Sequence, residues 1–142
     1  MVKQNIVFVE NKAGSLKRVT GMLANNNINI YGFACFDAPE FAIFRMICDD
    51  PDKAEIILNQ SGYMNRITQA IVVDMKDQVG GLDELLKILA DSNVSLDYIY
   101  TSFHRKDLRP VVILHSEDIT VTESVLKNNG FKVFSAVDEL EK

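Results

Sequence analysis

Two stretches of this chain decide its fold when one is laid over the other: Gly14-Ser-Leu-Lys-Arg-Val-Thr-Gly-Met-Leu-Ala-Asn-Asn-Asn-Ile-Asn-Ile30 and Gly80-Gly-Leu-Asp-Glu-Leu-Leu-Lys-Ile-Leu-Ala-Asp-Ser-Asn-Val-Ser-Leu96. A shift of 66 residues aligns them, and five of seventeen positions are identical: Gly14/Gly80, Leu16/Leu82, Leu23/Leu89, Ala24/Ala90 and Asn27/Asn93. Most other pairs exchange apolar for apolar or polar for polar. Further on the shift becomes 68, matching Asp50/Asp118, Glu55/Glu123, Leu58/Leu126 and Gly62/Gly130. The two extra residues fit a longer turn around Arg105–Leu108. An internal repeat of this kind is the primary organising signal of a sequence.

Each copy has the same internal order. Ile6–Glu10 is a β-type run ending in the turn residues Asn11–Gly14. Leu16, Val19, Thr20, Leu23 and Ala24 then recur at helical spacing, as do Leu82, Leu85, Leu86, Leu89 and Ala90. Ile28–Asp37 and Phe41–Cys48 are strand-like around a turn at Ala38-Pro39-Glu40. Asp50-Pro51 opens a second helix with Asp at the N-cap and Pro at the first helical position. In the second copy Thr120 and Glu123 form a capping-box pattern. Gly62 and Gly130 fit the left-handed residue after a helix end. A last strand is expected at Tyr63–Thr68 and again at Phe131–Ala136. The reading is α+β: two tandem ferredoxin-like βαββαβ domains with antiparallel sheets, residues 1–68 and 69–142.

The strands Ile28–Phe36 and Phe41–Cys48 are apolar at nearly every position, and Val111-Val-Ile-Leu114 behaves alike. A sheet covered by helices on one face should instead alternate. The second face is therefore expected to meet another sheet or a partner chain, which favours a homodimer.

Composition excludes several functions. The net charge of −5 lies wholly in the second half: residues 1–68 hold seven basic and seven acidic side chains, residues 69–142 eight and thirteen. No Lys/Arg cluster suits a phosphate backbone, so neither nucleic acid nor an anionic membrane is an expected partner. The N-terminus lacks an apolar signal core, and no run approaches membrane-spanning length. Cys35 and Cys48 form no CxxC pattern; they read as free thiols in a reducing cytoplasm, although spacing alone leaves a disulfide open.

His104 and His115 lie eleven apart without partners at ligand spacing, so no metal and no cofactor is expected. No GxSxG, HExxH or P-loop pattern occurs. The acidic neighbours Asp49/Asp50 and Asp83/Glu84 sit where helix N-termini are expected, which accounts for them. The chain reads as a protein that is not an enzyme. Tyr31-Gly32-Phe33-Ala34-Cys35-Phe36 echoes the aromatic strand of RNA-recognition modules. It lies on the second strand rather than the third, lacks a preceding basic residue, and has no counterpart at Asp97-Tyr98-Ile99-Tyr100.

What is left is the first turn of each copy, Asn11-Lys12-Ala13-Gly14 and Asp77-Gln78-Val79-Gly80. Backbone N–H groups at a helix N-terminus can hold a carboxylate, and an Asn or Asp oxygen can accept from an ammonium. That pairing suits a small zwitterion; the alternative is a plain Asx turn leading into a helix.

These turns, with Leu16 and Leu23-Ala-Asn-Asn-Asn-Ile-Asn-Ile30 and their copies Leu82 and Leu89–Leu96, resemble the ACT-domain family, small regulatory modules that usually bind amino acids. The stand-alone tandem ACT proteins are similar over nearly the whole chain, the acidic tail Asp138–Lys142 excepted. The resemblance implies a ligand between paired modules, touching the first turn and the start of the second strand. By position these are Asn11, Ala13, Gly14, Ile28 and Asn29, with Asp77, Val79, Gly80, Val94 and Ser95 in the copy. Ala13 and Val79 replace the proline frequent before the turn glycine, which loosens the turn. Asp77 against Asn11 makes the two sites unequal. The expected function is amino-acid binding and regulation, with a ligand-free interaction protein as the alternative and an unidentified protein partner receiving any signal.

Overall fold

Apolar side chains three and four residues apart, at Leu16, Val19 and Leu23 and at Leu85 and Leu89, close a stripe on one side of a helix and drive it onto a sheet. In the computed structural model, which describes all 142 residues, the chain runs β1 (Val2–Glu10), α1 (Ser15–Asn25), β2 (Ile30–Asp37), β3 (Phe41–Cys48), α2 (Pro51–Gln60), β4 (Asn65–Asp74), α3 (Gly81–Asp91), β5 (Leu96–Phe103), β6 (Pro110–Ser116), α4 (Ile119–Asn128) and a 3₁₀ turn (Val137–Glu141). The fold is α+β, a tandem pair of βαββαβ units with antiparallel strands. No helix is long and apolar enough to cross a membrane.

The chain divides into two compact units, Lys3–Thr68 and Gln69–Lys142, the latter joined by Met1–Val2. In the first, the strand order is β2-β3-β1-β4, with Phe8 N–H donating to the Met64 carbonyl at 3.0 Å. Val7, Val9, Phe44 and Met46 face α1 and α2, packing on Val19, Leu23, Ala54 and Leu58. In the second, the order is β4-β6-β5, and Ile71, Val73, Val112 and Leu114 pack on Leu85, Leu89 and Leu126. Each fully buried Leu, Ile or Phe of these cores contributes about 1.5–3 kcal/mol over leaving it exposed.

All four helices end alike. The first residue past each C-cap is left-handed, Asn27 (φ 61°), Gly62 (82°), Asn93 (58°) and Gly130 (84°). The following N–H returns to a carbonyl inside the helix, as from Ile28 to Leu23 and from Val94 to Leu89. This Schellman closure explains why Asn27 and Asn93 are identical in the two copies. It also starts β2 and β5 at Ile30 and Leu96, two residues later than expected at Ile28.

Two local expectations need correction. The second copy's last strand, expected at Phe131–Ala136, is reduced to one bridge between Val73 and Val133. Only the Asp74-to-Lys132 (3.0 Å) and Phe134-to-Val72 (2.8 Å) hydrogen bonds continue that edge. Beyond them Glu139 Oε1 accepts from the Ser135 N–H (2.9 Å), the Ser135 hydroxyl (2.8 Å) and the Ala136 N–H (3.1 Å), which takes those donors out of a ladder. Likewise α4 does not use Thr120 and Glu123 as a capping box. Asp118 is its N-cap and accepts from the Val121 N–H at 3.2 Å, as Asp50 does from Lys53 at 3.0 Å. Asp outranks Thr as a cap and here sits two residues earlier.

On the sheet face turned away from the helices Ile6, Ile47, Val72, Val111 and Ile113 are at most 4% exposed already in the single chain, whereas Phe36 on the edge strand β2 stays 57% exposed. The continuous hydrophobic runs therefore reflect burial on both faces. Both cysteines are free; Cys35 is exposed on β2, whereas burial pushes the Cys48 thiol up to about 12.

Candidate functional site

The first turn has the same backbone in both units. Lys12 N–H donates to the Glu10 carbonyl (3.0 Å) and Ser15 N–H to the Lys12 carbonyl (3.2 Å); Gln78 to Lys76 and Gly81 to Gln78 repeat this at 3.0 Å each. Gly14 (φ 81°) and Gly80 (φ 86°) are the N-caps of α1 and α3, left-handed and without a side-chain hydrogen bond. The N–H groups of Leu16 and Lys17, and of Leu82 and Asp83, precede the first intrahelical bonds, which begin at Arg18 and Glu84. They point out of the helix with no capping side chain to receive them. By contrast α2 and α4 are closed by Asp50 and Asp118.

Asn11, Ala13 and Gly14, and Asp77, Val79 and Gly80, are exposed at these helix starts. Asn11 Nδ2 donates to the Ala38 carbonyl at 3.1 Å, tying its turn to the β2–β3 hairpin rather than closing a turn on itself. Beside each turn lies a groove. In the first unit it is about 250 Å³ and lined by Glu10, Ser15, Arg18, Tyr63 and neighbours. In the second it is about 400 Å³, lined by Asp74, Lys76, Asp77, Glu84, Arg109, Phe131, Lys132 and neighbours.

By the 66-residue repeat the groove charges are exchanged. Glu10 and Arg18 of the first unit become Lys76 and Glu84, which pair at 3.1 Å. Glu10 instead pairs with Lys12 at 2.6 Å, and the hydrogen bond from Lys12 holds its carboxyl below the ordinary value. The floor differs too. Phe8 packs edge-to-face on Phe41, ring centres 5.2 Å apart, whereas its counterpart Asp74 lies 2.7 Å from His104 Nε2 and 3.3 Å from an Arg109 nitrogen. His104 is buried. From the sequence His104 is weighed only as a metal ligand, and neither Asp74 nor Arg109 stands out; carrying the 66-residue shift back from Gly14, which sets Asp74 against Phe8, is the signal that could have found them.

The strand-start residues lie elsewhere. Ile28 is part of the first unit's core. Asn29 exchanges hydrogen bonds with Asp49, its N–H to Oδ1 and its carbonyl from the Asp49 N–H, both at 3.0 Å. Val94 and Ser95 line a third cavity of about 270 Å³ with Ser92, Glu117, Asp118 and Val121. The eleven residues of α1, and those of α3, separate each turn from its strand start by roughly 16 Å at 1.5 Å per residue. Within one unit the two sets are not brought together.

The sequence pattern of the ACT domain pair matches residues 1–140. The chain belongs to that family. The crystal structure of protein BT0572 from Bacteroides thetaiotaomicron is similar, at 28% identity and a TM-score of 0.89 over 99% of this chain and 96% of that one. The ligand-free regulatory subunit of aspartate kinase from Thermus thermophilus matches at 14% identity and a TM-score of 0.62, covering 90% and 91%. The corresponding subunit from Thermus flavus matches at 15% and 0.60, covering 88% of each chain. The two aspartate kinase subunits share the fold alone at that identity. No curated protein sequence matches the chain significantly. The ACT pair assigns a regulatory, small-molecule-binding role.

Proposed function

We propose that this ACT pair is a non-enzymatic sensor of a free amino acid, bound at the N-termini of α1 and α3. The observation that carries the reading is the contrast between helices. Two are closed by aspartate, and two begin at a bare left-handed glycine beside a groove. An α-carboxylate satisfies the open N–H groups and meets the positive end of the helix dipole. Asn11 or Asp77 receives the ammonium. Because the strand-start residues lie a helix length away, the remaining ligand contacts come from a module of a second copy, which makes the working form a homodimer. The exchanged groove charges make the two sites unequal in affinity. Ligand acts by favouring one assembly over another, and an unidentified protein partner reads that difference.

The test is a thermal-shift screen against the twenty common amino acids, repeated with Asn11→Ala and Asp77→Ala. At ten times Kd a single site adds about 1.4 kcal/mol, which is roughly 3–6 °C for a chain of this size. One chemical group of amino acids is expected to give that shift, reduced in one or both variants. No shift with any of them would sink the reading and leave a ligand-free interaction protein.

A further inference from the structure

Three polar side chains line the groove beside α1 and have no equivalent beside α3. Ser15, Arg18 and Tyr63 stand in the wall of the first groove; by the repeat their counterparts are Gly81, Glu84 and Phe131. Each exchange removes a hydrogen-bond donor or reverses a charge. The protein itself uses up none of the three. Ser15 is 4% exposed, and its Oγ only accepts, from an Arg18 nitrogen at 3.4 Å. Its own proton has no acceptor, a cost that an arriving anion would relieve. That long contact is the one side-chain hydrogen bond of Arg18, whose guanidinium has no carboxylate within ion-pair distance. The Tyr63 hydroxyl makes no hydrogen bond. Glu84, by contrast, is bound to Lys76 at 3.1 Å. The helix dipoles differ in the same sense. The first turn of α1 carries no acidic residue, whereas α3 has Asp83 and Glu84 there to meet its positive end. Glu10 is the one carboxylate in the wall of the first groove, and it pairs with Lys12 at 2.6 Å, Arg18 acting on it only at longer range.

We propose that the first unit's site selects an amino acid with a second carboxylate, aspartate or glutamate, and that Arg18, Ser15 and Tyr63 receive that side-chain group. The inference rests on the amino-acid reading above and adds to it the class of side chain. The α-carboxylate takes the open N–H groups of Leu16 and Lys17, and the second carboxylate enters the groove. Arg18 offers it two parallel N–H donors, a geometry that suits a carboxylate and carries the charge. Ser15 turns its free proton, and Tyr63 its hydroxyl, onto the remaining oxygen lone pairs. The groove of about 250 Å³ has room for such a side chain at ~30 Å³ per non-hydrogen atom. Asparagine and glutamine have the same size without the charge, so Arg18 is the residue that separates acid from amide. The second unit has no donor side chain at these three positions, and the proposal is confined to the first.

The experiment is isothermal titration of the intact protein with aspartate, glutamate, asparagine, glutamine and succinate, repeated with Arg18→Gln and Tyr63→Phe. At least one acid is expected to bind tenfold or more tightly than its own amide. Arg18→Gln is expected to erase that difference while the amides bind as before, a split that general damage to the fold would not produce. Tyr63→Phe keeps the ring, removes one oxygen and is expected to narrow the difference severalfold. Amides bound as tightly as their acids overturn the proposal and leave the sensor reading standing. An acid preference that survives Arg18→Gln does the same. Succinate bound as tightly as aspartate also overturns it, since the ammonium would then play no part. Binding of none of the four amino acids overturns it as well, whereas the sensor reading falls only if all twenty fail in the thermal-shift screen.

Discussion

A Cβ on Gly81 would stand 2.0 Å from the Lys76 carbonyl oxygen, backbone against side chain with nothing flexible to give way. The same position in the first unit is Ser15, buried and tolerated. The second turn is therefore wound tighter than the first although its hydrogen bonds are the same. Gly81→Ser should cost about 1–3 kcal/mol by overpacking, read as a lower urea midpoint; an unchanged midpoint would mean the two turns have equal slack. Glu139 supplies a second residue-level test. Its carboxyl is held below the ordinary value of 4.5, first by the Ser135 hydroxyl and then by the Ser135 and Ala136 N–H groups. A lowered folded-state value means stabilisation that is complete above the ordinary value and is lost as pH falls through the lowered one. Glu139→Gln should thus be less stable than wild type at neutral pH, with the gap closing below about pH 4.5. A gap that stays constant with pH would assign the effect to lost packing instead.

Among the elements, the helix ends separate structure from function. Asp50 and Asp118 close α2 and α4, so Asp118→Ala should cost about 1 kcal/mol. Thr120→Ala should cost only a few tenths, because Thr120 is an exposed residue already inside the helix. Equal losses in thermal melts would restore Thr120 as a cap. The pattern of Thr followed three residues later by Glu was legible but misleading. The same local motif suits a helix start or its first turn, and only the position of the preceding chain decides which. The missing last strand has a similar origin. Phe131–Ala136 has strand character, but Glu139, three residues past its end, collects the N–H groups that a ladder would have used.

For the whole molecule the testable statement is assembly. The sensor reading expects a homodimer of the 16.0 kDa chain, measured by sedimentation, whose population changes with a bound amino acid. A monomer at all concentrations, with and without ligand, would contradict it. The apolar sheet faces, expected to meet another sheet or a partner chain, give no separate sign of a partner, because Ile6, Ile47, Val72, Val111 and Ile113 are already buried in the single chain. On the edge strand β2, Phe33 and Phe36 are more than half exposed, one on each face.

The duplication, the helices and the open turns were all legible in the sequence. They rest on local physics: hydrophobic period, left-handed glycine and asparagine after helices, and aspartate before them. Their spacing repeats because each copy must bury the same faces. What only the tertiary structure decided is which of those residues share a site. Ile28 proved to be core, and α1 holds Asn29 a full helix away from Asn11. Asp74, His104 and Arg109 come together across 35 residues of chain, from Asp74 to Arg109. That Lys53 seats its ammonium on the Asn26 carbonyl, 27 residues back in the chain, is likewise decided only by packing. Local propensity determines elements, whereas contact between residues distant in sequence depends on how those elements pack.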